Sequence, residues 1–203
     1  MKMSRTAIKE LTAAYRAVLK HAFIAAMGAM VVIGGASAEN TVERKFITET
    51  DFVSGENISN QNFLTAEDPG SDNAGYGGYA FIDRNNTVLN IKDSSYTNNT
   101  FDGSGTVFAT RTPELNSTST LMVKNTHFIE NTATTWGGAI FNSGTLTLGD
   151  GVSFTGNSAN FGGAVWNQGT LKAEAGTKFI GNKATTAGGA LYNEDNTTID
   201  SLA

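Results

Sequence analysis

The sequence predicts an all-β fold, a right-handed parallel β-helix with coils of about 25 residues. Three segments repeat one pattern, Phe-x-x-Asn and then Gly-Gly-Ala with an aliphatic residue, and their Phe residues lie 26 and then 25 positions apart. Short β-compatible runs in each repeat are separated by Gly, Asn, Asp and Ser, which are turn signals. Gly, Asn and Thr supply 23, 20 and 27 of the 203 residues, with only 2 Pro and no three-residue period, which excludes collagen.

The first element is a basic and then apolar segment typical of an export signal. Five basic side chains precede an uncharged run that ends in Ala36-Ser37-Ala38. Small residues at these places fit a signal-peptidase site, so we expect a signal-peptide helix in residues 1–38 and cleavage after Ala38. The run is shorter than the roughly 20 residues of a membrane span, which disfavours a permanent anchor. The segment therefore predicts an exported chain.

The remainder of the chain is acidic and contains no Cys. It carries 9 basic and 18 acidic residues, and such a surface repels phosphate backbones, so no nucleic-acid partner is predicted. Without Cys there are no disulfides and no thiolate metal sites.

We expect an irregular N-terminal coil or cap in residues 39–75. Residues 76–203 should form the β-helix repeats, in an array that is incomplete at the C-terminus.

Each repeated position has a physical role in stacked coils. Equivalent residues lie about 4.8 Å apart on neighbouring strands, so the Phe residues should stack in a column. The Asn residues should lie at turns in the left-handed conformation, with their amides forming a ladder. The Gly pairs suit a corner with positive φ or a place without room for a Cβ atom. These repeat positions are Phe128, Asn131, Gly137, Gly138, Phe154, Asn157, Gly162, Gly163, Phe179, Asn182, Gly188 and Gly189.

Strand alternation predicts an aromatic column on the outer face of the helix. If Ile140, Val165 and Leu191 point inward, the next residue of each strand points outward. The outward residues are then Phe141, Trp166 and Tyr192, with Phe108 in a weaker upstream copy. Exposed aromatic rings in a row are a platform for sugar rings or for a partner surface. The alternative is that a loop, further protein or the opposite register buries them.

No catalytic, metal or cofactor site is predicted. Asp150 and Glu174 lie 24 positions apart and could be stacked neighbours, but we favour solvated turn charges for both. His127 is isolated, and one His cannot make a metal site or a catalytic triad. The chain is therefore predicted not to be an enzyme. A β-helix carbohydrate-active enzyme, of the polysaccharide lyase or hydrolase type, is the alternative.

The paired motifs resemble those of the polymorphic outer-membrane proteins, first known from chlamydiae. The resemblance is strict over residues 128–193 and weaker from about residue 77. It implies an autotransporter-like passenger at the cell outer membrane, on the cell surface or in the medium, which attaches to a host-cell surface or glycan. It also implies membrane contact only through the signal or through a C-terminal barrel beyond this sequence.

Two further expectations concern the C-terminal part. The last coil has an unpaired edge, which predicts end-to-end self-association. A structural fragment of a longer autotransporter, without activity of its own, is the other interpretation of an incomplete array.

Overall fold

The computed structural model describes residues 45–47, 50–63, 75–82, 87–110, 119–194 and 198–202. These residues lie in one compact unit, Asn40–Ala203, and they form 20 strands, paired in parallel, with no helix among them. The predicted parallel β-solenoid is confirmed. The expected signal-peptide helix and the cleavage site at Ala38 lie outside the described residues.

The strands form three parallel sheets that run along the solenoid. Sheet A contains, in spatial order, β1 (Lys45–Ile47), β5 (Ala80–Ile82), β8 (Phe108–Thr110), β11 (Ile140–Asn142), β15 (Val165–Asn167) and β19 (Leu191–Asn193). Sheet B contains β2 (Asp51–Ser54), β3 (Asn57–Ser59), β6 (Val88–Thr97), β9 (Thr120–Ile129), β12 (Thr145–Leu148), β13 (Ser153–Thr155), β16 (Thr170–Ala173), β17 (Lys178–Ile180) and β20 (Thr198–Leu202). Sheet C contains β4 (Asn62–Phe63), β7 (Thr100–Phe101), β10 (Thr132–Ala133), β14 (Ser158–Phe161) and β18 (Lys183–Ala187).

The coils become shorter along the chain. Hydrogen-bonded equivalents are 38 residues apart between Gln61 and Asn99, and 32 apart between Asn99 and Asn131. From Asn131 to Asn157 and Asn182 the spacing falls to 26 and then 25 residues. The predicted length of about 25 residues therefore applies to the three clear repeats, and the earlier coils contain additional residues between their strands.

The N-terminal segment is part of the solenoid. Strand β1 pairs with β5, β2 and β3 pair with β6, and β4 pairs with β7. Residues 45–47 and 50–63 thus supply strands to all three sheets, whereas the sequence predicted an irregular coil or cap over residues 39–75. The first coil, or lap of the solenoid, is longer than the later ones. Its register was hard to recognise in the sequence because no motif there lies 25 residues from its counterpart.

The interior is filled by columns of apolar side chains. Leu121, Leu146 and Leu171 are Cα partners on successive strands of sheet B, and each is fully buried. Ile140 and Val165 form the corresponding buried column from sheet A. Full burial of each such side chain is worth roughly 1.5–3 kcal/mol. A coil obtains this burial only from its neighbours, so the solenoid is stable as a stack.

Candidate functional site

The three repeat Phe residues stack inside the solenoid. The ring centroids of Phe128 and Phe154 are 4.8 Å apart with 7° between the planes, and those of Phe154 and Phe179 are 4.9 Å apart with 6°. Tyr96 extends the stack, with its ring 5.5 Å from that of Phe128. The predicted aromatic column is present, and its first member is a Tyr from the preceding coil.

The repeat Asn residues form a buried ladder of amides. The Nδ2 groups of Asn131 and Asn157 each donate over 3.0 Å to Oδ1 of the Asn in the next coil, Asn157 and Asn182. The backbone N–H groups of Asn131 and Asn157 donate to the same oxygens, also over 3.0 Å. The second proton of Asn157 Nδ2 goes to the Phe128 carbonyl oxygen, 2.9 Å away. Asn99 continues the ladder upstream through Asn131.

The expected left-handed conformation belongs to the residue before each ladder Asn. Positive φ angles occur at Glu130 (54°), Gly156 (66°) and Gly181 (60°), whereas the ladder residues have ordinary φ. Positive φ lies one residue before the Asn because the Asn side chain must point along the stack to meet its neighbour. The chain therefore turns one residue earlier.

The two members of each Gly pair have different roles. The first members have positive φ: Gly137 (63°), Gly162 (61°) and Gly188 (67°). The second members have ordinary φ, and Gly138 and Gly163 lack space for a Cβ atom, whereas Gly189 in the last pair has room for one. A Cβ atom on Gly138 would lie 2.0 Å from the Gly163 carbonyl oxygen, and one on Gly163 would lie 2.1 Å from that of Gly189. Both roles considered for the pairs therefore occur, positive φ in the first members and lack of space at Gly138 and Gly163.

Sequence analysis missed a second ladder, at the end of the sheet A strands. Asn142 Nδ2 donates to Asn167 Oδ1 over 2.6 Å, and Asn167 Nδ2 donates to Asn193 Oδ1 over 2.7 Å. Thr110 begins the series, with its hydroxyl donating to Asn142 Oδ1. The signal was available in the sequence, because these Asn residues recur at the same interval as the repeat.

The predicted aromatic column lies on the outer face of sheet A, but it is covered. Phe141, Trp166 and Tyr192 are Cα partners on adjacent strands, and the rings of Phe141 and Trp166 stack at 4.6 Å. Phe141 is only 4% exposed and Trp166 only 5%. The outward direction was predicted correctly, and the alternative that other residues bury the rings applies to Phe141 and Trp166.

The cover comes from the residues that precede the Gly pairs. The positive φ at Gly137 and Gly162 turns the chain so that Trp136 and Phe161 lie over the outer face. The Trp136 ring is 5.4 Å from that of Trp166, and all the covering rings are themselves half-buried. We call this group the outer aromatic cluster; its members are Tyr76, Phe81, Trp136, Phe141, Phe161, Trp166 and Tyr192.

Phe108 does not belong to the outer aromatic cluster. Phe108 is the Cα partner of Ile140 and is fully buried in the solenoid interior. Ala109 occupies the outward place beside Phe141. The assignment of Phe108 to the outer column was one residue out of step, because its repeat copy lacks the Gly-Gly-Ala motif that marks the register.

The acidic residues and the His considered for catalysis lie apart on the surface. The Glu174 N–H donates to the Leu148 carbonyl oxygen, which places Glu174 beside Gly149 and one position away from a stack with Asp150. His127 Nδ1 lies 2.8 Å from Ser153 Oγ in an exposed pair. Within the described ranges, no three His, Asp or Glu side chains are grouped to hold a metal ion. Nor does this part of the chain contain a helix suited to cross a membrane.

Two buried Tyr side chains and one half-buried carboxylate form a hydrogen-bonded cluster near the first coil. The Tyr79 hydroxyl donates to Glu56 Oε1 over 2.6 Å, and the Tyr96 hydroxyl donates to Glu56 Oε2 over 2.9 Å. Burial, and then the Glu56 charge, raises the pKa of both Tyr side chains well above the ordinary value. No repeat spacing in the sequence indicates this cluster, because its members come from coils of unequal length.

Comparison with known proteins supports the repeat assignment. Residues 125–143, 151–168 and 176–194 each match the family model of the Chlamydia polymorphic membrane protein repeat. No curated protein and no solved structure matches the chain. Each matched segment contains one Phe-x-x-Asn motif and one Gly-Gly-Ala motif, whose side chains build the Phe column, the buried ladder and the Gly corners. Three segments of the chain therefore match the Chlamydia polymorphic membrane protein repeat, which is the resemblance that their paired motifs predict.

Proposed function

We propose that this chain is a non-catalytic attachment module, displayed on the bacterial surface or secreted, that binds host cells or other surfaces. The repeat match and the parallel solenoid fit a surface-exposed, autotransporter passenger-like protein. Attachment, export and the absence of catalysis are the parts that we add.

The observation that carries the proposal is the outer aromatic cluster. Its inner rings, Phe141 and Trp166, are buried, while Trp136, Phe161 and Tyr192 are half-buried and thus partly accessible to a partner. A stack of rings on a sheet loses little conformational freedom when a partner docks. Aromatic side chains are enriched at binding surfaces because they combine apolar area with polar handles.

The positions of the acidic side chains support a non-catalytic role. Glycoside hydrolysis needs two carboxyl groups that face each other across a substrate. Asp150 and Glu174 are exposed on neighbouring turns, out of register by one residue. The His127 ring is hydrogen-bonded to the hydroxyl group of Ser153 at the surface.

The proposal is tested by binding of the purified chain to cultured host cells. Trp136→Ala removes a half-buried ring and leaves the Phe141–Trp166 stack in place, so we expect weaker binding with an unchanged β-sheet circular dichroism spectrum. Ile180→Ala, which truncates a 54% exposed apolar side chain of β17 outside the cluster, is the matched control. Equal binding by the wild type and Trp136→Ala would contradict a role for the cluster in attachment.

A further inference from the structure

We propose that a groove on the outer face of sheet B binds acidic saccharides, through Phe52, Lys92, Met122 and Lys124. This groove belongs to a different sheet from the outer aromatic cluster. The inference therefore does not depend on the attachment role of that cluster.

The groove lies between two rows of outward side chains. One row contains Asn90, Met122 and Thr147, which are Cα partners on β6, β9 and β12. The second row begins with Lys92 and Lys124, and it is interrupted where the chain has Gly149. The missing side chain leaves a hollow that contributes to a groove of about 230 Å³. Glu174 lines its far end.

The groove contains apolar surface that is unusually open. Phe52 is 58% exposed and Met122 is 43% exposed, and they are two of the three large apolar side chains exposed in the described part of the chain. Both line this groove. Exposed apolar surface that is grouped and bordered by polar residues marks binding sites. A ring face of this kind packs against the C–H face of a sugar ring.

The groove also holds two ammonium groups in adjacent strands. Lys92 and Lys124 are Cα partners, and neighbouring strands lie about 4.8 Å apart. Like charges directly opposite each other destabilise a sheet, and an anion bound between them removes that repulsion. Lys92 Nζ lies 5.2 Å from the Phe52 ring centroid. Its ion pair with Asp93, at 3.8 Å, is about half exposed, so it competes only weakly for a ligand.

The side chains that line the groove, and its position on a sheet face, favour a saccharide over an acidic peptide as the ligand. Asn90 and Thr147 add an amide and a hydroxyl to the groove wall, and Glu174 adds an acceptor for sugar hydroxyls. A peptide that adds to a sheet needs a free strand edge, whereas most of this groove lies on the face of β6, β9 and β12, which are paired on both sides. Carboxylate or sulfate groups on the sugar supply the charge that the two Lys residues accept.

The test measures binding of short probes to the full chain by titration calorimetry. The probes are hexasaccharides of hyaluronan, which carries carboxylates, and of heparin, which carries sulfates, with a neutral N-acetylglucosamine hexasaccharide and a glutamate hexapeptide. We expect at least one acidic hexasaccharide to bind, more weakly at high salt. Replacing both Lys92→Gln and Lys124→Gln should lower that affinity about tenfold or more, because charge-assisted contacts are lost.

Matched variants separate the site from general charge effects. Lys178→Gln with Lys183→Gln removes the same charge from exposed positions outside the groove and should leave the affinity unchanged. Phe52→Ala should weaken binding of the acidic and the neutral saccharide alike. Trp136→Ala should bind the probes as the wild type does, which keeps this test separate from that of cell attachment.

Three results would overturn the inference: no binding of either acidic hexasaccharide, an equal loss in the two double variants, or equally strong binding of the glutamate hexapeptide. The last result would assign the groove to an acidic protein partner.

Discussion

Asn157 Oδ1 accepts two hydrogen bonds from a single residue, because the side-chain Nδ2 and the backbone N–H of Asn131 both lie 3.0 Å from it. The buried donors of one coil are therefore satisfied by the next coil. In the same way, the backbone N–H and Nδ2 of Asn157 both donate to Asn182 Oδ1. The other proton of Asn157 Nδ2 is donated to the Phe128 carbonyl oxygen. One residue in each lap thus connects three consecutive coils.

Asn157→Ala should destabilise the solenoid strongly. The change leaves the Asn131 donors and the Phe128 carbonyl without their buried partner, and each such group costs roughly 1–3 kcal/mol. We expect the free energy of unfolding in urea to fall by about 3 kcal/mol or more. Asn160→Ala is the control, because the Asn160 side chain makes exposed bonds to Thr185 and Thr186. Equal losses in the two variants would contradict the role of the ladder.

Gly163→Ala and Gly189→Ala should differ sharply although they are equivalent in the repeat. The new Cβ atom at Gly163 would meet backbone atoms at 2.1 and 2.6 Å, whereas at Gly189 its nearest neighbour is 3.7 Å away. Overpacking against backbone costs about 1–3 kcal/mol or more, so Gly163→Ala should lower the melting temperature and Gly189→Ala should leave it nearly unchanged. Thermal unfolding followed by circular dichroism measures both, and a stable Gly163→Ala protein would refute the predicted contact.

The stability should fall in alkaline solution because of Tyr79 and Tyr96. Burial, and then the Glu56 charge, raises their pKa in the folded chain above the ordinary value of about 10. The unfolded chain therefore ionises first, so this stability is complete below about pH 10 and is lost as the pH rises further. Urea unfolding should show a decline above about pH 10 that is less steep in Tyr96→Phe. Equal pH dependence in both proteins would argue against this explanation.

Trp166→Ala should disrupt the outer aromatic cluster and lower the free energy of unfolding by a large amount. Trp166 is 5% exposed and stacks on both Phe141 and Trp136, and truncation of a buried Trp costs about 3–5 kcal/mol. Trp136→Ala should lower the free energy of unfolding by less, because the Trp136 ring is only half-buried. Both of the 2 Trp residues in the chain belong to this cluster, so intrinsic fluorescence reports directly on it during urea unfolding. Similar losses for both variants would contradict the difference in burial.

We propose that the purified 203-residue chain associates end to end. Strands β17, β18 and β19 each pair with a described strand on one side only, and Phe179 of β17 and Leu191 of β19 are partly exposed. Sedimentation velocity should show association that increases with concentration. A single monomeric species at all concentrations would contradict it.

The fold was predictable wherever residues recur at one interval. Phe128, Phe154 and Phe179 lie 26 and then 25 residues apart, and in a coil of that length equal spacing means contact. Phe108 was misplaced because the preceding lap is 32 residues long and its corner motif is altered. The strands of residues 45–63 were not recognised for the same reason.

The outer aromatic cluster shows a different limit of sequence reasoning. Alternation gives the direction of Trp166, but not what packs above it. That depends on the positive φ of Gly162, which brings Phe161 back over the sheet. The Glu56 cluster was beyond prediction, because a carboxylate that enters the interior from a neighbouring lap leaves no periodic trace.

The nearly equal laps after Asn131 make this protein modular in length. Removal of a whole lap of 25 residues joins two segments that offer the same contacts, so the ladder and the Phe column can re-form in a shorter solenoid. The coil of 26 residues fits the same lattice. The register of β14 against β18 shifts by one residue between Ala159 and Phe161, which shows that paired strands can accommodate such an offset. A one-residue deletion within a strand would exchange its interior and solvent faces. Genes of this type can thus gain or lose reach by duplicating or deleting complete laps.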